Sequence, residues 1–191
     1  MNTSFYALIF RQRYIKRWGL MRNVNDENLA EHSAQVAMIA HALALIGNKF
    51  FGKNYNLGEI VTAALYHDAS EVYTGDMPTP VKYFTPEMRQ NYKAIENNAL
   101  DALISHLPDE LKKDYSDILD YPEELEVIIK GADKLCAYIK CIEELKCSNT
   151  EFEKAKISTY NSLKGMSCPE LDYFCEHFLP AFELTLDEMQ S

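Results

Sequence analysis

The sequence predicts an all-α protein, on three observations. Apolar residues recur at helical spacing along nearly the whole chain. Prolines and glycines fall where helices would start or stop. No alternating stretch of useful strand length occurs. The 191 residues fit a single domain over 1–191, long enough to bury a substantial core. With 47% hydrophobic and 25% charged residues, the balance is that of a soluble globular chain rather than a disordered one.

Taken in order, Asn28 followed by Glu31 reads as a capping box with Asn in place of Ser or Thr. It opens a helix of about five turns whose buried positions include Ala34, Met38 and Leu45. A second helix is expected from about Leu57 to Val72, with Ile60, Ala63, Ala64 and Leu65 in the core. Gly75-Asp76-Met77-Pro78-Thr79-Pro80 must end it, since two prolines and a glycine do not continue a helix. Thr85, with Pro86 at the first helical position, starts a helix toward Ile104. A short helix follows Pro108, and another runs from near Pro122 through Asp133 toward Lys146. Asn149 or Thr150 caps a helix ending at Gly165, and Pro169 opens the last one. Tyr173, Phe174 and Phe178 of that last helix are expected to dock on the body.

Composition excludes several classes of function. A net charge of −10 argues against wrapping a nucleic-acid polymer, whose binding rests on neutralised phosphates. No apolar run approaches the roughly 20 residues of a membrane span, and no signal-peptide pattern is present. The five cysteines are odd in number and form no C-x-x-C pair, so they read as reduced thiols of a cytosolic protein. Residues 1–25 hold Arg11, Arg13, Lys16, Arg17 and Arg22 but no acid. Such a lobe suits capture of a small anion, although a solvated basic surface has the same composition.

The residues that carry chemistry are few. His32, the His67-Asp68 pair and Asp133 each interrupt an apolar helical stretch, where ionisable groups are costly unless paired or metal-bound. Singly, none is persuasive: a lone His on an apolar helix is more often a hydrogen-bonded core residue than a ligand, and Asp133 could simply be salt-bridged. Adjacent ligands diverge by about 100° around a helix, so His67 and Asp68 share an ion only if it lies beside the helix between them. Two imidazoles and two carboxylates suit Mn, Co, Fe or Zn better than an all-oxygen ion. Glu71 follows His67 by four and Asp68 by three, which places all three on one helix surface. Such a carboxylate, near a metal that acidifies bound water, can move a proton to a departing alkoxide. The plain alternative is a surface carboxylate at a helix C-terminus, where the macrodipole disfavours it.

His…His-Asp…Asp at this spacing resembles the HD-domain superfamily of metal phosphohydrolases. Arg17-Trp18-Gly19-Leu20-Met21-Arg22-Asn23-Val24, Glu31-His32-Ser33, Tyr66-His67-Asp68-Ala69-Ser70-Glu71, Gly75-Asp76-Met77-Pro78-Thr79-Pro80-Val81-Lys82-Tyr83 and Ala132-Asp133-Lys134-Leu135-Cys136-Ala137-Tyr138 are similar to the bacterial 5′-deoxynucleotidases of that superfamily. The likeness extends to Leu184-Thr185-Leu186-Asp187-Glu188. Gly19 stands where the family pattern has proline, and the stretch from Asp120 to Glu124 is shorter than the pattern.

The resemblance implies an HD-domain helical bundle with a metal site between helices. It implies His32, His67, Asp68 and Asp133 as ligands of a divalent transition metal such as cobalt or manganese. Glu71 and Asp76 become the catalytic carboxylates, and Arg17, Trp18, His32, Asp76 and Asp133 the substrate contacts. Arg17 is suited to grip phosphate oxygens, and Trp18 becomes a wall against the ribose that leaves no room for a 2′-hydroxyl. The implied reaction is hydrolysis of deoxyribonucleoside 5′-monophosphates by metal-bound water, in a cytoplasmic homodimer. Competing readings are an HD enzyme acting on dNTPs, a cyclic nucleotide or an alarmone, and a catalytically silent nucleotide sensor.

Overall fold

A computed structural model of the chain describes residues 3–82 and 84–190, so Tyr83 lies outside the described residues. Among the described residues there is no β-strand, only an isolated antiparallel bridge between Lys16 and Asn28. The helices are α1 Phe5–Ile9, α2 Leu29–Phe50, α3 Leu57–Tyr66, α4 Glu71–Thr74, α5 Thr79–Lys82, α6 Pro86–Ile104, α7 Asp109–Leu119, α8 Glu123–Lys146, α9 Glu153–Lys164, α10 Pro169–His177 and α11 Leu186–Met189. The chain divides into two compact units. The first comprises Met1–Arg22, Asp26–Ser33 and Tyr66–Asp120, and the second Asn23–Asn25, Ala34–Leu65 and Tyr121–Ser191.

Local chemistry sets several boundaries as expected. Asn28 Oδ1 accepts from the backbone N–H groups of Ala30 and Glu31, while Glu31 Oε2 accepts from Asn28 N–H at 3.2 Å, completing the capping box of α2. Thr85 Oγ1 accepts from Met88 N–H, and Pro86 takes the first position of α6. Gly75 ends α4 at φ +71°, a conformation that favours glycine.

Other expectations shift. The buried face of α2 is Val36, Ala37, Ala40, Leu43, Ala44 and Ile46, and Met38 lies off it at 66% exposure. An 18-residue window of this helix has mean hydropathy 1.3, so by length and composition it meets the span criterion that the sequence reading denied. Half of that window is buried within the structure, which accounts for its apolar character. The second expected helix is two pieces, because α3 stops at Tyr66 and residues 67–70 turn before α4. Leu65 is exposed, while Ile60, Ala63 and Ala64 are buried as expected. Asn149 makes no side-chain cap; its amide instead donates to buried Glu144, and a 3₁₀ turn over Thr150–Phe152 precedes α9. Gly165 caps α9 at φ −81°, outside the left-handed region. The chain does not end on α10. A 3₁₀ turn at Leu179–Glu183 and α11 follow, the latter opened by a capping box of Thr185 and Glu188. Phe174 is buried and Tyr173 packs against the core, but Phe178 is largely exposed.

Each unit has its own core. In the first, Phe5, Ala69, Leu103 and Leu107 are buried, with Tyr66, Val72 and Tyr115 against them. Ala69 thus seats the turn that carries His67 and Asp68. In the second, the apolar face of α2 packs with Ile60 and Ala64 of α3 and Ile128, Ala132, Leu135 and Ile142 of α8. All five cysteines are free thiols.

Candidate active site

Residues 67–70 form successive tight turns. Ala69 N–H donates to Tyr66 O, Glu71 N–H to Asp68 O, and Tyr73 N–H to Ser70 O. Such i→i−3 bonding brings side chains three apart onto one side. Asp68 and Glu71 are therefore neighbours through a tightened turn, rather than through the continuous helix that the spacing predicts. Glu71 is the first residue of α4 and only 5% exposed, so it is not a surface carboxylate at a helix end.

His32, in the first turns of α2, is fully buried and faces this turn. Its Nε2 lies 3.7 Å from Asp68 Oδ2, and His67 Nε2 lies 3.0 Å from the same oxygen. One ligand atom from each of His32, His67 and Asp68 falls within 4.8 Å of the others. Two imidazoles and a carboxylate therefore converge on one place. The donor set fits a divalent transition metal. Asp133 is partly buried on α8 and belongs to the second unit.

Arg17 and Glu27 are brought together by a short backbone pairing that sequence periodicity does not show. Arg17 N–H donates to Glu27 O at 3.0 Å and Leu29 N–H to Ile15 O at 2.9 Å, on either side of the Lys16–Asn28 bridge. Arg17 Nη1 lies 3.6 Å from Asp76 Oδ1 and 3.8 Å from Asp68 Oδ2. Of the five basic residues in this region, Arg11, Arg13, Lys16 and Arg22 are exposed, and Arg17 is drawn into the acidic cluster. Four of the five therefore lie on the surface, and Arg17 faces Glu27, Asp68 and Asp76.

Trp18 has φ +58°, in the left-handed region that bulky residues rarely adopt. Such a conformation costs on the order of 1–3 kcal/mol and persists only where surroundings over-determine it. Here the indole N–H donates to Glu27 Oε2 at 2.8 Å, and Trp18 O accepts from Met21 N–H at 2.8 Å. Gly19 beside it faces open space.

Burial and crowding set the charge states. Burial, with the charges of Asp68 and Asp76, pushes the Glu71 carboxyl up to about 9 against the opposing charges of Arg17 and Lys82. Its Oε2 is buried without a hydrogen bond. Burial also raises Asp76; Asp68 adds to the shift, while Arg17 and the Trp18 backbone N–H oppose it. For Glu27 burial acts upward too, but His32, Arg17 and the Trp18 indole together hold its carboxyl below the usual range. Glu27 carried no signal in the sequence beyond being an acid next to a capping Asn. Lys82 pairs with Glu96 at 2.6 Å and lies over the Tyr92 ring.

The family model described as 5′-deoxynucleotidase YfbR-like matches residues 4–182. The chain belongs to this family. It is 50% identical to the 5′-deoxynucleotidase YfbR of Escherichia coli over 191 aligned positions, covering 98% of this chain and 96% of that one. It is equally similar, at 50% over 190 positions, to a 5′-deoxynucleotidase of Yersinia pseudotuberculosis, with the same coverage. Among solved structures, an HD-domain phosphohydrolase from Listeria innocua superposes with a TM-score of 0.82 at 23% identity, covering 98% of this chain and 92% of its own. A cyanophage S-2L HD phosphohydrolase, bound to dA and one catalytic Zn2+ ion, gives a TM-score of 0.62 at 20% identity, covering 91% and 95%. The fold is that of the HD-domain phosphohydrolases.

Proposed function

We infer that this family member hydrolyses deoxyribonucleoside 5′-monophosphates to the deoxyribonucleoside and phosphate. The observation that carries the reading is the convergence of His32, His67 and Asp68 next to a buried, raised carboxyl at Glu71. We assign His32, His67, Asp68 and Asp133 as ligands of a divalent transition metal, with cobalt and manganese the ions that the resemblance names. When bound, such an ion supplies positive charge against the phosphate and lowers the pKa of water toward ~7. Arg17, directed at the acidic cluster, is placed to hold two phosphate oxygens through its guanidinium. Glu71, buried beside this cluster, would pass a proton to the 5′-oxygen as the P–O bond breaks. Asp76, paired with Arg17, lies toward the sugar and the scissile bond, and His32 and Asp133 complete the substrate contacts. Trp18 forms the wall that a 2′-hydroxyl meets.

The reading includes one functional domain over the whole chain and a homodimer in the cytoplasm, as the family resemblance implies. Its substrate is a small molecule rather than a nucleic-acid polymer or a membrane surface, in keeping with the net charge of −10.

Phosphate release from matched ribo- and deoxyribonucleoside monophosphates, with several divalent ions, tests it. The expected result is metal-dependent release, favouring the deoxy form well beyond the ~100-fold that a merely tolerant pocket gives. Equal kcat/KM for the two sugars refutes the deoxy preference. Release of pyrophosphate or triphosphate from dNTPs points instead to the competing HD chemistry.

A further inference from the structure

Glu27 is a buried carboxylate whose two oxygens have different duties. Oε2 accepts the Trp18 indole N–H at 2.8 Å and lies 3.5 Å from Arg17 Nε. Oε1 lies 3.5 Å from Nδ1 of His32, whose Nε2 faces Asp68 Oδ2 at 3.7 Å. One planar group thus touches the wall, the phosphate grip and a metal-ligand candidate at the nitrogen that faces away from the cluster. We propose that Glu27 is a positioning residue that locks His32 for metal and Trp18 for the sugar at once, so that metal loading and sugar selection are coupled through a single side chain.

A carboxylate opposite the distal nitrogen of a ligating imidazole keeps the proton on that nitrogen, so the lone pair stays on the metal-facing one and the ring plane is held. A tryptophan at φ +58° needs a fixed partner, and the indole N–H finds it in the same carboxylate, next to a backbone bond from Arg17 N–H to Glu27 O. Because the two oxygens are rigidly joined, the group cannot turn to improve one contact without moving the other. Any shift of the His32 ring on metal loading would therefore reach Trp18 through one carboxylate. The proposal rests on the functional reading above for the roles of His32 and Trp18.

The chain contains a single tryptophan, so its emission reports this indole directly and without substrate. The test titrates wild type, Glu27→Gln and Glu27→Ala, stripped of metal, with zinc. Calorimetry reads affinity, Trp18 emission reads the indole, and kcat/KM is measured for one dNMP and NMP pair. Zinc should change Trp18 emission in wild type. Glu27→Ala should bind zinc about 10- to 100-fold more weakly, lose the zinc-dependent emission change and show a smaller dNMP preference. Glu27→Gln keeps an oxygen for the indole but loses the charge on His32, so its metal-free emission should match wild type while its zinc affinity falls. That split is not expected of a residue that only supports the fold, and Glu27→Gln carries the test alone if Glu27→Ala does not fold. Wild-type zinc affinity in Glu27→Gln, or unaltered zinc-linked emission in a folded Glu27→Ala, overturns the proposal. A wild-type dNMP:NMP ratio near one overturns the deoxy reading and the sugar half of the proposal, whereas weakened zinc in Glu27→Gln and lost zinc-linked emission in Glu27→Ala still sustain the link from His32 to Trp18. Wild type that binds no zinc overturns both.

Discussion

Glu71 and Asp68 sit three residues apart in unlike environments. Asp68 is the oxygen on which two imidazoles converge, whereas Glu71 is buried beside it with its carboxyl pushed up to about 9. We predict that Glu71→Ala folds, keeps metal and binds nucleotide, but loses several orders of magnitude in kcat. A loss under tenfold, about 1.4 kcal/mol of barrier, removes Glu71 from the proton path. His67→Ala and Asp68→Ala should abolish both metal binding and turnover, and phosphatase activity persisting in exhaustively chelated wild type contradicts the metal assignment.

The same shift has a stability consequence in metal-free protein. Glu71 takes up its proton more readily folded than unfolded, so its contribution is complete below the ordinary carboxyl value of 4.5 and drains away as pH rises toward about 9. Urea midpoints of metal-free wild type should fall across that window, and those of Glu71→Gln should fall less. At Trp18 the readout is specificity. Trp18→Ala should raise NMP hydrolysis relative to dNMP, whereas Arg17→Ala should weaken both together, since the phosphate is common to them. Matched kcat/KM ratios separate the two.

At the scale of elements, the buried Glu144 of α8 shows how a helix holds a loop. Its carboxylate accepts from the backbone N–H groups of Val24 and Asn25, from Lys140 Nζ at 2.5 Å and from Asn149 Nδ2 at 2.7 Å. Burial alone raises its carboxyl, but these donors outweigh it and bring it down to about 2. The folded pKa is depressed, so this stabilisation is present above about 4.5 and is lost as pH falls toward 2. Glu144→Gln leaves Lys140 buried without its partner charge and should cost about 3 kcal/mol at neutral pH. Thermal melts at pH 7 and at acid pH check both sign and size, because the difference between variant and wild type should shrink on acidification.

Close approach dictates a second position in this unit. A Cβ on Gly47 of α2 would sit 2.6 Å from the Tyr55 ring. That ring is pinned by a hydroxyl bond to Glu170 and by Asn48 on both sides of the Tyr55 backbone. Gly47→Ala should therefore destabilise by about 1–3 kcal/mol, the usual cost of overpacking, despite the better helix propensity of alanine. An unchanged urea midpoint would show that the ring yields freely.

Across the whole molecule, metal and stability should be linked. An ion that binds only the folded chain adds about 2.7 kcal/mol at a hundredfold excess over its Kd. Manganese or cobalt should accordingly raise Tm in wild type, and a chelator should reverse the rise. His67→Ala should show neither effect. An unmoved Tm at saturating ion would count against a resident metal.

What was readable from the amino-acid order alone is the part of this protein that short-range chemistry decides. The Asn28–Glu31 box, the Thr85-Pro86 start and the Gly75 stop are local events within a few residues, and each stands where its residues place it. The motifs His32, His67-Asp68 and Glu71 were legible because ionisable groups in apolar stretches are costly without a purpose. Tertiary structure decided the rest. Periodicity continued a helix through residues 67–70, but seating Ala69 in a core with Phe5, Leu103 and Leu107 coincides with a turn there. It placed Met38 inside, although which stripe of an alanine-rich helix is covered depends on the partners that pack on it. Glu27 was invisible because its meaning lies in three side chains that chain folding brings to it. A carboxylate is a solvated charge or a positioning device according to its neighbours, and those of Glu27, though near in sequence, meet it only through the backbone pairing around the Lys16–Asn28 bridge.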